Sequence, residues 1–374
     1  MTQAAITGSG VFTPDQVITN DELVTAFNAY ADRVNAENAE AIASGAAQPV
    51  PQSSTEFIIK ASGIEQRYVL DKKGILDPDI MHPVLAERPD DTPSVMAEMG
   101  VKACQTALDQ AGVNADQVDA VLVAASNHER AYPAIAVEIQ QLLGCGGFGF
   151  DMNVACSSAT FGIQAAADMI KSGSISKALV VNPEICSAHL EWRDRDCHFI
   201  FGDVCTAVLL ERVADAKGAH FAIRSTRCAT QFSNNIRNNN GFLRRTRPGG
   251  MEDRRDMQFM QNGRKVFKEV LPLVSDHILT HMKSENVQAV DLKRLWLHQA
   301  NKTMNDFIGK KVLGRAPEPG QQPNILQDYA NTSSAGSIIA FSKYSSDLAS
   351  GDLGLICSFG AGYSVGSVIL ERRS

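Results

Sequence analysis

A weak internal repeat runs through the chain and limits its architecture. The segment Val-Asp-Ala-Val-Leu-Val-Ala-Ala-Ser-Asn (118–127) resembles Leu-Lys-Arg-Leu-Trp-Leu-His-Gln-Ala-Asn (292–301). Each is followed by a helical stretch ending in Leu-Gly, at Gly144 and Gly314. Next come Ala-Cys-Ser-Ser-Ala (155–159) in one case and Ala-Asn-Thr-Ser-Ser-Ala (330–335) in the other. Strand, helix and small-residue turn recurring in the same order imply two similar halves, 1–215 and 216–374. Aligning the two turns sets Asn331 opposite Cys156. The apolar runs Val118–Ala125 and Ala178–Val181 read as buried strands and Ala159–Ile170 as a helix, so the class is α/β with a largely parallel sheet. Two stretches read as surface insertions. Residues 28–53 are rich in Ala, Asn and Gln and in part helical; residues 71–92 carry Pro78, Pro83 and Pro89 among mixed charges.

Composition supports a large core: 374 residues, 44% hydrophobic and 21% charged. A net charge of −7 argues against nucleic acid or an anionic membrane as partner. The charge is uneven, however. Between Arg237 and Lys268 lie nine Lys/Arg (237, 244, 245, 247, 254, 255, 264, 265 and 268) against Glu252, Asp253 and Asp256, a local balance of +6. That suits a solvated face or a rim for phosphates or an acidic carrier protein. The eight cysteines include no Cys-x-x-Cys pair, as expected of reduced thiols rather than a disulfide scaffold. The amino terminus lacks a signal-peptide pattern, and no run of 18 apolar residues suggests a membrane span. A cytoplasmic protein without metal or organic cofactor is expected.

The chemistry concentrates at turns after strands. Asp151-Met-Asn-Val-Ala-Cys156-Ser-Ser-Ala reads as strand, sharp turn, helix, with Cys156 at the helix start. Unpaired amides there should lower the thiol's pKa, and Ser157 and Ser158 can cap the first turn. That is the layout of an activated nucleophile. His298 ends the apolar strand Leu295-Trp-Leu-His, where catalytic side chains of α/β folds gather, and suits oxyanion stabilisation or proton handling. Asn331 opens another strand-to-helix turn. Ser358-Phe-Gly-Ala-Gly-Tyr follows a further apolar strand, and its glycines let amides approach a substrate carbonyl.

Taken together, the Cys-Ser-Ser block, His-Gln-Ala-Asn, Asn-Thr-Ser and Phe-Gly-x-Gly resemble the β-ketoacyl-acyl-carrier-protein synthase III family, in order and over nearly the whole chain. The resemblance implies a duplicated five-layered αβαβα thiolase-like fold, an obligate homodimer and a Cys156–His298–Asn331 triad. It also implies acyl transfer from an acyl-CoA to Cys156. Decarboxylative condensation with malonyl-acyl-carrier protein (malonyl-ACP) follows, with the oxyanion held by the Cys156 and Gly362 amides. Residue by residue, Arg195 resembles a CoA-adenine contact, Asn301 a pantetheine contact and Phe267 a pocket-lining residue. Tyr132 resembles an aromatic that crosses the dimer interface, and Phe57 stands where a CoA-stacking tryptophan is common. Arg264, Lys265 and Lys268 are the expected carrier-docking cations. Ala61 and Thr303 replace basic residues common in the family, a loss that Lys302 can offset. The enlarged amino-terminal region resembles a subgroup described as β-ketodecanoyl-ACP synthases, so a medium-chain primer is expected. A secondary-metabolite condensing enzyme with the same triad is the alternative.

Overall fold

Helix ends in this chain are written in short polar residues and glycine. Ser54, Ser94, Asn262 and Asn301 each accept a hydrogen bond from the amide three residues on, starting four helices. The two Leu-Gly pairs of the repeat end helices with Gly144 and Gly314 at φ 73° and 69°, a left-handed conformation that glycine adopts without a Cβ penalty.

The computed structural model describes residues 3–250, 252 and 254–374. β1 (Ala4–Phe12) and β2 (Gln16–Thr19) lead to α1 (Asn20–Glu37), α2 (Ala39–Ala43) and α3 (Thr55–Ser62), then β3 (Gln66–Val69), α4 (Lys72–Leu76) and α5 (Val95–Ala111). β4 (Ala120–Ala124), α6 (Ile135–Leu143), β5 (Phe148–Met152), α7 (Ser158–Ser172), β6 (Lys177–Ile185) and β7 (Asp203–Arg212) follow. Then come β8 (His220–Thr230), β9 (Ile236–Arg237), β10 (Met260–Gln261), α8 (Gly263–Ser284), β11 (Leu292–Leu297) and α9 (Lys302–Leu313). α10 (Leu326–Tyr329), α11 (Gly336–Lys343), β12 (Leu353–Gly360) and β13 (Ser364–Arg373) close the chain.

Nine strands form one hydrogen-bonded order, β11-β12-β13-β8-β1-β7-β6-β4-β5. The expectation of a largely parallel sheet fails. Only β11–β12, β4–β5 and β4–β6 run parallel, and the other five neighbour pairs are antiparallel. β1, β7, β8 and β13 supply the antiparallel centre, and the apolar-run reading was blind to strand direction. The order is held in the middle by two residue pairs alone, Ala5 with Ala222 and Ile6 with Phe221.

Packing resolves this ladder into layers. α5 and α6 cover one face of β4, β6 and β7. α7 and α11 lie between that group and β8, β11, β12 and β13. α8 and α9 cover the far face of β11, β12 and β13. The arrangement is αβαβα, with the two small-residue turns of the repeat leading into the two central helices. Glycine and alanine are needed there: a Cβ at Gly162 would lie 2.8 Å from Val180 and 3.0 Å from Ala124.

The first insertion is tied down by its asparagines. Asn28 exchanges two hydrogen bonds with the Ser53 backbone (2.8 and 3.1 Å), and Asn35 does the same with Val50 (2.8 and 3.0 Å). These side chains act as strand partners for 50–53, which explains the Asn-rich composition. In the second insertion Asp71 caps α4 and accepts from the Val84 amide at 2.7 Å, closing the proline-rich stretch back on itself.

Candidate active site

Cys156 occupies the middle of the 3-10 turn Ala155–Ser157, between β5 and α7. Asn153 fixes the turn by accepting the Ala155 amide at 2.9 Å, with Ala155 held at φ 47°. The serines do not cap α7 as expected. Ser158 instead accepts the Val154 amide at 2.8 Å and donates to the Ala155 carbonyl at 2.7 Å, and the Ser157 hydroxyl accepts from Ser364 at 2.9 Å. Gly360 faces the nucleophile so closely that a Cβ there would come within 2.6 Å of the Cys156 Cβ. Three donors point at the sulfur: the Ser333 hydroxyl at 3.4 Å and the amides of Ala361 and of Cys156 itself.

The second amide at the resting sulfur belongs to Ala361, and the neighbouring Gly362 carbonyl accepts the Ser233 amide at 2.6 Å. One sequence expectation changes here: the thiol is not activated at rest. Burial pushes it up to about 11, outweighing the Ser333, Ala361 and Cys156 donors, and the Glu184 carboxylate pushes the same way. At physiological pH the Cys156 side chain is therefore a protonated thiol.

His298 stands one residue beyond β11, with its amide on the Cys357 carbonyl at 2.7 Å. Its ring meets Phe359 edge-on, centroids 5.1 Å apart. Burial lowers it to about 4, with the Ser333 carbonyl opposing, so the imidazole is neutral at physiological pH and offers one N–H. Asn331 is buried, its backbone joined to Ile200 and Gly202 at 2.9 and 3.1 Å. Its Oδ1 accepts the Ser333 amide at 2.9 Å.

That last bond corrects the alignment of the repeat. Asn331 does for Ser333 what Asn153 does for Ala155, so Asn331 is the counterpart of Asn153, and Ser334, middle residue of the 3-10 turn Ser333–Ala335, is the counterpart of Cys156. Nucleophile and amide still meet, because both line one chamber.

The chamber measures about 480 Å³, with Cys156, His298 and Asn331 among its lining residues and walls that include Phe199, Phe201 and Phe259. Phe57, Phe267 and Asn301 line it as well. Asn301 caps α9 and donates to the Ala61 carbonyl at 2.6 Å. Arg195 is not among the lining residues; its guanidinium lies 3.9 Å over the Phe57 ring and its Nε donates to Gln52 at 2.7 Å. Lys302 pairs with Asp306 at 2.6 Å on the exposed face of α9. Arg264 lines the chamber. Lys265 and Lys268 follow on the first turns of α8, exposed. Tyr132 is 85% exposed and outside the chamber of its own chain.

Several cations of the +6 segment are tied into ion pairs. Asp256 pairs with both Arg244 and Arg247 (2.8 and 2.7 Å), and Arg255 with Asp194 at 2.8 Å. Asp253 lies outside the described residues. No three His, Cys, Asp or Glu among the described residues are grouped to hold a metal, and no helix among them is long and apolar enough to cross a membrane.

Family models for 3-oxoacyl-(acyl-carrier-protein) synthase III match residues 150–229, and those for its carboxyl-terminal part match 282–372. A β-ketodecanoyl-(acyl-carrier-protein) synthase of Pseudomonas aeruginosa is 55% identical over 348 residues, covering 93% of this chain and 99% of that protein. The chain belongs to the synthase III family. A β-ketoacyl-(acyl-carrier-protein) synthase III of Acidiphilium cryptum is 30% identical over 99% of this chain and 100% of its own length. The crystal structure of a synthase III from Aquifex aeolicus superposes with TM-score 0.77 at 23% identity, covering 99% of this chain and 100% of that one, a likeness of fold. Synthase III proteins are condensing acyltransferases of fatty acid biosynthesis.

Sequence reasoning missed Ser333, Ala361 and Glu184. Ser333 and Ala361 lie inside the quoted motifs, and which backbone amide faces a sulfur is decided by turn geometry that residue names do not carry.

Proposed function

We propose that the protein condenses a medium-chain acyl-CoA with malonyl-ACP to give a β-ketoacyl-ACP. The observation that carries this reading is one chamber holding a cysteine ringed by two amides and a hydroxyl together with a neutral histidine and a buried asparagine. Cys156 Sγ attacks the primer thioester, the C–S bond to CoA breaks, and CoA leaves as the thiol with the cysteine's proton. The Cys156 and Ala361 amides receive the oxyanion of the tetrahedral intermediate. Malonyl-ACP then binds, and His298 and Asn331 donate to its thioester oxygen as the C–C bond to the carboxylate breaks and CO₂ leaves. The resulting enolate carbon attacks the acyl-cysteine carbonyl, and Cys156 departs and recovers a proton. No step requires a metal or an organic cofactor; CoA and ACP thioesters are substrates.

The relative's product carries ten carbons, two of them from malonate, so an eight-carbon primer is its counterpart here. Each buried methylene adds about 0.8 kcal/mol, which favours octanoyl over acetyl until the channel ends and overpacking reverses the gain. Arg264, Lys265 and Lys268 at the mouth suit acidic ACP and the CoA phosphates. A homodimer completes the site in this reading. β5 is the edge of the sheet, with Phe148 and Phe150 exposed, and Tyr132 projects into solvent where a second copy would receive it. Turnover measured with acyl-CoAs of graded length plus malonyl-ACP tests the reading. Activity should rise to about eight carbons and fall sharply beyond; Tyr132→Ala should move the cut-off upward and Tyr132→Trp downward. An optimum at acetyl-CoA would remove the length assignment, and no condensation with any primer would remove the reading.

A further inference from the structure

Glu184, near the end of β6, is 1% exposed and is not among the residues lining the chamber. Its carboxylate collects donors from three segments. Oε1 accepts the Ser126 amide at 3.0 Å, the Ser334 amide at 3.2 Å and the Ser334 hydroxyl. Oε2 accepts the Ser126 hydroxyl at 2.5 Å and the Cys186 thiol at 3.8 Å. A fully buried carboxylate is costly unless its lone pairs are filled, and here they are.

The partners lead to both turns of the site. The Ser126 carbonyl accepts Asn153 Nδ2 at 2.8 Å, and Asn153 holds the nucleophile turn through Ala155. Ser334 is the neighbour of Ser333, whose hydroxyl touches the Cys156 sulfur and whose amide holds Asn331 Oδ1. The turns come from opposite halves of the chain, and one carboxylate closes the circuit between them. A glutamine would keep the Oε1 acceptor for the two amides but set an NH₂ where Oε2 stands, so the Ser126 hydroxyl and the Cys186 thiol would have to turn from donating to accepting.

We propose that Glu184 is a positioning residue for the condensation, holding the Asn331–Ser333 turn in register with Cys156 through Ser334 and Ser126. The proposal rests on the condensation reading above. Burial raises Glu184 to about 7 against its serine donors, and the thiols of Cys186, of Cys205 on β7 and of Cys156 face it.

The test compares full-length wild type, Glu184→Gln and Ser334→Ala with octanoyl-CoA and malonyl-ACP. In Glu184→Gln, kcat should fall about 100-fold, the scale of an ångström-level misplacement, with KM for octanoyl-CoA within roughly threefold of wild type. Ser334→Ala, which removes one of two contacts to that turn, should lose roughly tenfold. The pH profile of Cys156 alkylation by iodoacetamide should move to lower pH in Glu184→Gln, because an anion facing the thiol is gone. Unchanged kcat in both variants, or a loss matched by KM with an unmoved alkylation profile, overturns the proposal. If Glu184→Gln does not fold, wild-type kcat in Ser334→Ala overturns it alone. A wild type that does not condense removes the underlying reading and this role with it; a wild type that condenses alongside equally active variants removes the role only.

Discussion

The nucleophile turn and the asparagine turn share a backbone and divide a chemistry. Val154 and Thr332 precede their 3-10 turns at φ, ψ of −131°, 37° and −105°, 34°; Ser158 and Gly336 follow at −52°, −40° and −58°, −41°. Ala155 and Ser333 both sit at positive φ, 47° and 50°, a strain of order 1 kcal/mol for a non-glycine residue. An asparagine two residues earlier steadies each turn with the same bond, 2.9 Å in both. The side chains then part company. In the first turn the asparagine is exposed and the middle residue is the chamber's cysteine; in the second the asparagine lines the chamber and the middle residue, Ser334, is sealed against Glu184. The two frames match, and the chamber receives a cysteine from one position of the frame and an asparagine from another.

Paired substitutions separate the two turns. Asn331→Ala and Asn153→Ala each delete the same turn bond, but only the first also removes a side chain of the chamber, the proposed donor to the thioester oxygen. We expect kcat for condensation to drop about 10²–10³-fold in Asn331→Ala. In Asn153→Ala the drop should stay under about tenfold, with a stability loss near 1 kcal/mol from the missing hydrogen bond. Equal kinetic losses would mean that both asparagines act on the backbone alone.

The rim should respond differently from this floor. Reversing Arg264, Lys265 and Lys268 to Glu should raise KM for malonyl-ACP several-fold and steepen no chemical step, because exposed charge acts on encounter rate. Salt should blunt the difference between variant and wild type. An equal rise for octanoyl-CoA would assign these cations to the CoA phosphates instead.

The contrast also marks what was legible. Cys156 and His298 announce themselves through residue type after strands, and the doubled architecture through the repeat; Asn331 was expected to open a strand-to-helix turn but follows the short helix α10 instead. Strand direction was not legible, since buried parallel and antiparallel strands share the same apolar runs. Nor was the true register of the repeat: matching Ala-Cys-Ser-Ser to Ala-Asn-Thr-Ser-Ser pairs Cys156 with Asn331, whereas the backbone pairs it with Ser334 three residues later. The thiol's raised pKa was hidden too, because the helix start is visible in sequence while the close packing against Cys156 comes from Gly360, about two hundred residues away.

In the proposed condensation Cys156 carries the acyl group between two substrates. Intact-mass measurement of the wild type after exposure to octanoyl-CoA alone should show one octanoyl group per chain, mapped by peptide analysis to Cys156, and none on folded Cys156→Ala. An adduct of the same mass on Cys156→Ala, or its absence from the wild type, would contradict the account.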